Sequence, residues 1–265
     1  MSGLFAILSP AKTLDMSASA ETSLSNTRPR LAARTKALAE ELQGYSPARL
    51  GKLMSISEKL SKANAERFAA FGSRSNPKAA AAMCFRGDVY QGLEAWTLKD
   101  KALSWLQDHV RILSGLYGIL RPLDVIQAYR LEMGTKLKTD HGKDLYGFWG
   151  EDIAGIIRKD MKDAKAKTLV NLASDEYSKA ARLDELDVPI VNVKFLQVTQ
   201  GKAKFISFYG KHARGLMARW MAEHRPRTVS DLGKFNAQGY RFAKGDSSDA
   251  QLVFTRPKPV PAKAG

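Results

Sequence analysis

The chain alternates between two hydrophobic periods. Leu4 to Leu8 is an unbroken apolar run halted by Ser9-Pro10, the pattern of a buried strand. From Arg28 the period turns helical: Leu31, Leu38 and Leu42 share one face, and Gly44 is placed to close that helix. Ser46-Pro47 opens the next, with a hydroxyl to cap it and a proline at its first position. Leu50, Leu53 and Met54, then Leu60, Phe68 and Phe71, continue the apolar faces. Further on, Glu151 to Lys162 reads as a helix with Ile153, Ile156 and Ile157 inward, and Thr168 to Leu172 as a second buried strand. Val188–Val198 and Lys202–Tyr209 read as two strands joined at Thr199-Gln200-Gly201. A helix from about Lys211 sets Ala213, Leu216, Met217 and Trp220 on one arc and Lys211, Arg214 and Arg219 on the opposite one. Gln251 to Thr255 is the last strand.

At the centre of the chain, Leu103, Leu106, Val110 and Leu113 recur at helical spacing, which predicts a helix ending near Ser114. Gly115 and Gly118 then frame a tight turn before Arg121-Pro122. Helix, glycine turn and second short element make the outline of a helix-hairpin-helix. In that motif glycines let backbone N–H groups approach a nucleic-acid phosphate, and Arg121 adds charge to the contact. A plain glycine turn between two core helices fits the same residues.

Strands at both ends with helices between them predict an α+β fold. The expectation is a single mixed domain over residues 1–255, a β-sheet core covered by helices and carrying the helix-hairpin-helix. Residues 256–265, rich in Pro and Lys, are expected to form a disordered tail. A chain of 265 residues, 44% of them hydrophobic, can bury a substantial core. Its longest apolar run, Ala79 to Phe85, is too short to cross a bilayer, and no basic region followed by a long apolar segment marks a secretory signal. One cysteine, Cys84, forbids an intrachain disulfide and suits a reducing compartment. The expected setting is the cytoplasm, without a membrane partner, and a monomer is favoured.

Charge changes the picture. Lys and Arg number 42 against 27 Asp and Glu, a formal net charge of +15. The excess is local, with ten cations and two acids between Gly201 and Lys244. Such a face concentrates polyanions and speeds encounters with them; a solvated basic surface is the plainer reading. His109, His141, His212 and His224 lie far apart, so neither a metal nor a cofactor is expected. Cys84 ends an apolar run and reads as a buried structural thiol. Polar groups gather in three glycine-rich or strand-end segments: Lys12 after the first strand, Arg86 and Asp88 between Phe85 and Gly92, and Asp175-Glu176 after Thr168–Leu172. The carboxylates suit acid or base chemistry, and they equally suit the first turn of a helix.

Several of these blocks together resemble one family. Ser9-Pro10-Ala11-Lys12-Thr13-Leu14, Gly87-Asp88-Val89-Tyr90, Leu113-Ser114-Gly115-Leu116-Tyr117-Gly118, Leu120-Arg121-Pro122-Leu123-Asp124, Tyr129-Arg130-Leu131-Glu132-Met133-Gly134, Asn171-Leu172-Ala173-Ser174-Asp175-Glu176-Tyr177 and Ala213-Arg214-Gly215-Leu216-Met217 are similar to the YaaA peroxide-stress proteins of bacteria. The resemblance spans nearly the whole chain in the expected order. It implies a cytoplasmic protein that limits damage from hydrogen peroxide, in part by keeping free intracellular iron low, and that binds DNA through a positively charged cleft and a helix-hairpin-helix. It implies no settled catalytic activity.

Two functions follow as expectations. The first is a DNA-binding protective protein that reads shape without base specificity. Gly115 and Gly118 would shape its phosphate-binding hairpin, Arg121 would contact the backbone, and Lys211, Arg214 and Arg219 would line its groove. The alternative is an enzyme acting on a nucleic acid or nucleobase, with Lys12, Arg86, Asp88, Asp175 and Glu176 converging on a pocket.

Overall fold

A computed structural model describes residues 3–258. The chain begins with strand β1 (Gly3–Leu8) and, after a long loop, the helices α1 (Ala32–Gln43), α2 (Pro47–Met54) and α3 (Glu58–Ala70). Strand β2 (Lys78–Ala80) leads into α4 (Ala81–Cys84), α5 (Asp88–Leu93) and α6 (Asp100–His109). Strands β3 (Val110–Ser114), β4 (Gly118–Leu120) and β5 (Val125–Gln127) come next, then α7 (Leu145–Trp149), α8 (Asp152–Asp163), β6 (Ala166–Leu172) and α9 (Asp175–Ala180). The remainder is β7 (Ile190–Thr199), β8 (Lys202–Lys204), α10 (Ser207–His224), α11 (Val229–Leu232), β9 (Arg241–Phe242) and β10 (Gln251–Pro257).

The α+β expectation is met: one mixed sheet, in the order β4-β3-β1-β6-β7-β10-β9 with β8 on β7, carries the core, and β2 and β5 form a separate pair. Its middle is more regular than the sequence suggested. β3, β1, β6, β7 and β10 are all parallel; the antiparallel strands are β4 and β9 at the two edges and β8, which pairs with the end of β7. By chain order the parallel strands stand 2-1-3-4-5, so strand addition reverses direction between β1 and β6. In open parallel sheets that reversal leaves a crevice at the strands' carboxyl ends, where ligands sit. β1 and the second half of β6 are buried on both faces, which explains their apolar runs, while β7 alternates buried and exposed positions.

Several local expectations hold. Ser46 caps α2 by accepting from the Arg49 N–H, and Pro47 stands at its first position. Gly44 closes α1. Others shift. The helix expected to reach Ser114 stops at His109, and Val110–Ser114 is β3, paired parallel to β1 and antiparallel to β4. Every residue of β3 is buried, so its apolar residues fit a helical period and a buried strand alike; a short apolar run cannot separate the two.

The glycine turn is therefore a β-hairpin at this place. Gly115 meets the backbone of Leu131, with room for no Cβ (2.2 Å to its carbonyl oxygen), and Gly118, at φ +69°, lies against the Trp149 ring. A helical hairpin does occur elsewhere: α2 and α3 are joined by Ser55–Ser57, with Ser55 left-handed at φ 52°. The strand expected to run to Tyr209 ends at Lys204, and α10 begins four residues before Lys211. The last strand passes Thr255 through Pro257, with Arg256 buried against Gln197; residues 259–265 of the expected tail lie outside the described residues. Among the described residues no helix is long and apolar enough to cross a membrane.

Candidate functional site

β1 and β6 end level with each other, Leu8 beside Leu172, and a serine follows each within two residues. The Ser9 hydroxyl donates to Ser174 Oγ (3.3 Å) and accepts the Ser174 N–H (2.9 Å), which ties the two loops together. The Tyr90 hydroxyl donates to the Ser9 carbonyl at 3.0 Å. Above this junction, at the reversal point of the sheet, lies a cavity of about 370 Å³.

Five segments wall it: the loop after β1, the start of α5, residues 129–132, the start of α9, and α10. The α5–α10 wall depends on two glycines that let the helices touch backbone to backbone. A Cβ on Gly92 would lie 2.1 Å from the His212 carbonyl oxygen, and one on Gly215 would lie 1.7 Å from that of Val89. This crossing brings Asp88 on α5 and Lys211 and Arg214 on α10 to one concavity.

Most of its charges have partners. Lys12 Nζ lies 2.6 Å from Glu132 Oε2, and Arg130 Nη2 lies 3.3 Å from the other oxygen of the same carboxylate. Arg86 donates to the carbonyls of Met83 and Phe85, stacks over the Trp96 ring and pairs with Asp15 at 3.4 Å. Glu176 Oε1 accepts the Gly134 N–H at 2.8 Å, pinning α9 to the 129–134 segment. Arg214 differs. It is half-buried and makes no hydrogen bond or ion pair among the described residues, and Lys211 likewise makes none. Burial pulls Arg214 below the ordinary guanidinium value, while the charge of Asp175 acts in the opposite direction. The floor is aromatic: Tyr90, Tyr129 and Tyr177 are buried, and desolvation holds all three phenols well above their usual range, so they remain protonated.

A second, shallower depression of about 670 Å³ shares Glu132 and Glu176 with the first and extends to Lys52, Ser55 and Lys136. The two form one groove from α10 to the α2–α3 turn.

Residues expected for two different functions thus meet in one place: Lys12, Arg86, Asp88 and Glu176 beside Lys211 and Arg214. Asp175 is exposed in the first turn of α9, outside the lining. Arg121 turns to Asp124 (2.9 Å) and the Arg28 carbonyl. Arg219, about 140° around α10 from Arg214, braces α10 against the Leu93 and Glu94 carbonyls and Thr97, and pairs with Glu223. Gly115 and Gly118 are buried in the β3–β4 turn. Sequence reasoning did not single out Ser9, Ser174, Arg130 or Glu132 as site residues; the clustering of an aromatic, a cation and an acid at 129–132 was the available signal.

Comparison with known proteins bears on this site. A sequence profile described as peroxide stress protein YaaA matches residues 4–246. A UPF0246 protein of Phenylobacterium zucineum is 48% identical over 258 residues, covering 97% of each chain. UPF0246 proteins of Idiomarina loihiensis and Alcanivorax borkumensis are 47% and 46% identical over 255 and 254 residues, covering 96% and 95% of this chain and 98% of each relative. The profile match takes in every wall of the cavity, and the chain belongs to the peroxide stress protein YaaA family.

Proposed function

We propose that this peroxide-stress protein protects DNA by binding it along the groove, through phosphate contacts that read backbone shape without base specificity. The observation that carries the reading is convergence: five cations from four distant parts of the sequence, Lys12, Arg86, Arg130, Lys211 and Arg214, line one concave surface. Lys211 and Arg214, which have no partner of their own among the described residues, are the phosphate contacts. The helical hairpin at Ser55–Ser57, with Lys52 beside it, is a second point of contact with the backbone. Limitation of free iron, which the family resemblance implies, belongs to the same proposal as a consequence of DNA binding; a donor set dominated by Lys and Arg suits an anion rather than a metal ion.

Mobility shift of an unrelated-sequence duplex tests the reading. The Lys211→Ala, Arg214→Ala double variant should bind at least about tenfold more weakly, a loss of about 1.4 kcal/mol, with circular dichroism unchanged. Equal binding by the two proteins overturns it. The carboxylates of Asp88 and Glu176 in the same lining favour a second reading, an enzyme acting on nucleic acid or a nucleobase. Long incubation with an oligonucleotide followed by mass analysis tests that one: it requires a product that Asp88→Asn abolishes.

A further inference from the structure

We propose that the cavity at the β1–β6 reversal takes one nucleotide extruded from the bound strand, with its phosphate on Arg214 and Lys211 and its base against Tyr129, Tyr177 and Leu131. The inference rests on the DNA reading above and adds what enters the groove's deepest part.

The first support is an unfilled need. Arg214 is half-buried in the cavity wall with no hydrogen bond among the described residues, so its guanidinium donors are open to a ligand. Asp175 acts on it through charge alone. A second guanidinium in the lining, that of Arg130, has its Nε buried without a partner among the described residues. The Arg214 guanidinium matches the oxygens of a phosphate, whereas Arg130 also holds Glu132 through Nη2. Lys12 and Arg86 are already engaged by Glu132 and Asp15, so the open end for an anion is the α10 side.

Size and polarity supply the second support. A volume of about 370 Å³ stands at the low end of the roughly 300–1,000 Å³ of small-ligand sites, suited to one nucleotide and too small for a run of strand. Cations stand at the rim and protonated phenol rings beneath, an arrangement that fits a ligand charged at one end and flat and aromatic at the other. The carboxylates of Asp88 and Glu176 repel a second phosphate and can accept from amino groups on a base edge. A base stacked within a duplex cannot reach this depth, so the nucleotide must swing out of the helix, as it does in proteins that handle single bases.

The test combines three measurements on the full chain. Calorimetric titration with dAMP, deoxyadenosine and inorganic phosphate should give binding for dAMP that exceeds both fragments by about tenfold or more. Permanganate, which oxidises unstacked thymine, should react with thymines of a bound duplex whose partner adenines have left the stack. Thr13→Trp, at an exposed position on the cavity wall, should abolish both signals while duplex affinity stays within about threefold; Ser9→Ala, a second and gentler change in the same lining, should weaken dAMP if the first variant misfolds. Duplex binding with no dAMP binding and no reactive thymine overturns this inference and leaves the groove reading standing. Binding of dAMP without reactive thymines overturns extrusion and makes the ligand a free nucleotide. Loss of all duplex binding overturns the groove reading and this inference with it.

Discussion

Replacing Gly215 by Ala strikes the frame that holds the cleft open at its working width. The added Cβ would stand 1.7 Å from the carbonyl oxygen of Val89 and 2.8 Å from the main-chain nitrogen of Leu93, where nonbonded contacts need about 3.5 Å. These are backbone atoms of α5, so no side chain can swing aside, and the two helices must part by roughly 1.5–2 Å. Overpacking costs about 1–3 kcal/mol and occasionally more. A clash between two main chains belongs at the upper end, about 3 kcal/mol, which for a chain of this size lowers Tm by roughly 6–12 °C. The same parting carries Asp88 away from Arg214, so duplex affinity falls with stability. Gly155 is the control: it is exposed in α8 with nothing within 4 Å of its Cβ, and Gly155→Ala should stabilise by about 1 kcal/mol through helix propensity. Scanning calorimetry reads both. A Gly215→Ala protein melting within about 1 °C of the parent would refute the backbone-contact argument.

Asp160 is buried and receives Arg30 (2.5 Å) and Arg111 (2.5 Å), so Asp160→Asn should cost about 3–5 kcal/mol, seen as a lower urea midpoint. Burial pushes the Asp160 carboxyl up, but the Arg30 hydrogen bonds and the Arg111 charge outweigh it and hold the value below 3.8. Its contribution is therefore complete above the ordinary aspartate value and is lost as pH falls through the lowered one; an acid-unfolding profile that Asp160→Asn leaves unchanged below pH 3.8 would contradict this. Burial pushes the Cys84 thiol up to about 12, leaving almost no thiolate at neutral pH. Hydrogen peroxide should leave it unoxidised in the folded protein, as mass spectrometry after treatment will show. Phe208 is 54% exposed and one turn before Lys211; if the proposed DNA groove extends past it, its ring stacks on unpaired bases, and Phe208→Ala should weaken binding to a bubbled duplex more than to an intact one in a competition assay.

The parts of the fold written in local pattern were legible: the buried run Leu4–Leu8, the Ser46-Pro47 start, and the cationic turns of α10 around Lys211 and Arg214. What failed was written in contacts. Val110 and Leu113 happen to continue the helical spacing of Leu103 and Leu106, while the pairing that makes Val110–Ser114 a strand, with β1, comes from more than a hundred residues away. The row of cations on α10 was read as one face, yet α5 crosses it at Gly215 and turns Arg219 into a brace. The cleft itself could not be seen in one dimension, since Ser9 and Ser174 meet across 165 positions. Even so, Lys12 was placed past a strand end, the position from which the sheet's reversal opens the cavity.

The most direct test of the central claim is the salt dependence of duplex binding by fluorescence anisotropy, run side by side on the parent and on Lys211→Ala, Arg214→Ala. Each phosphate contact contributes about −0.9 to the log–log slope, so the double variant should bind with a slope shallower by about 1.8. Parallel lines for the two proteins would contradict the account, because they would mean that neither side chain touches the backbone of DNA.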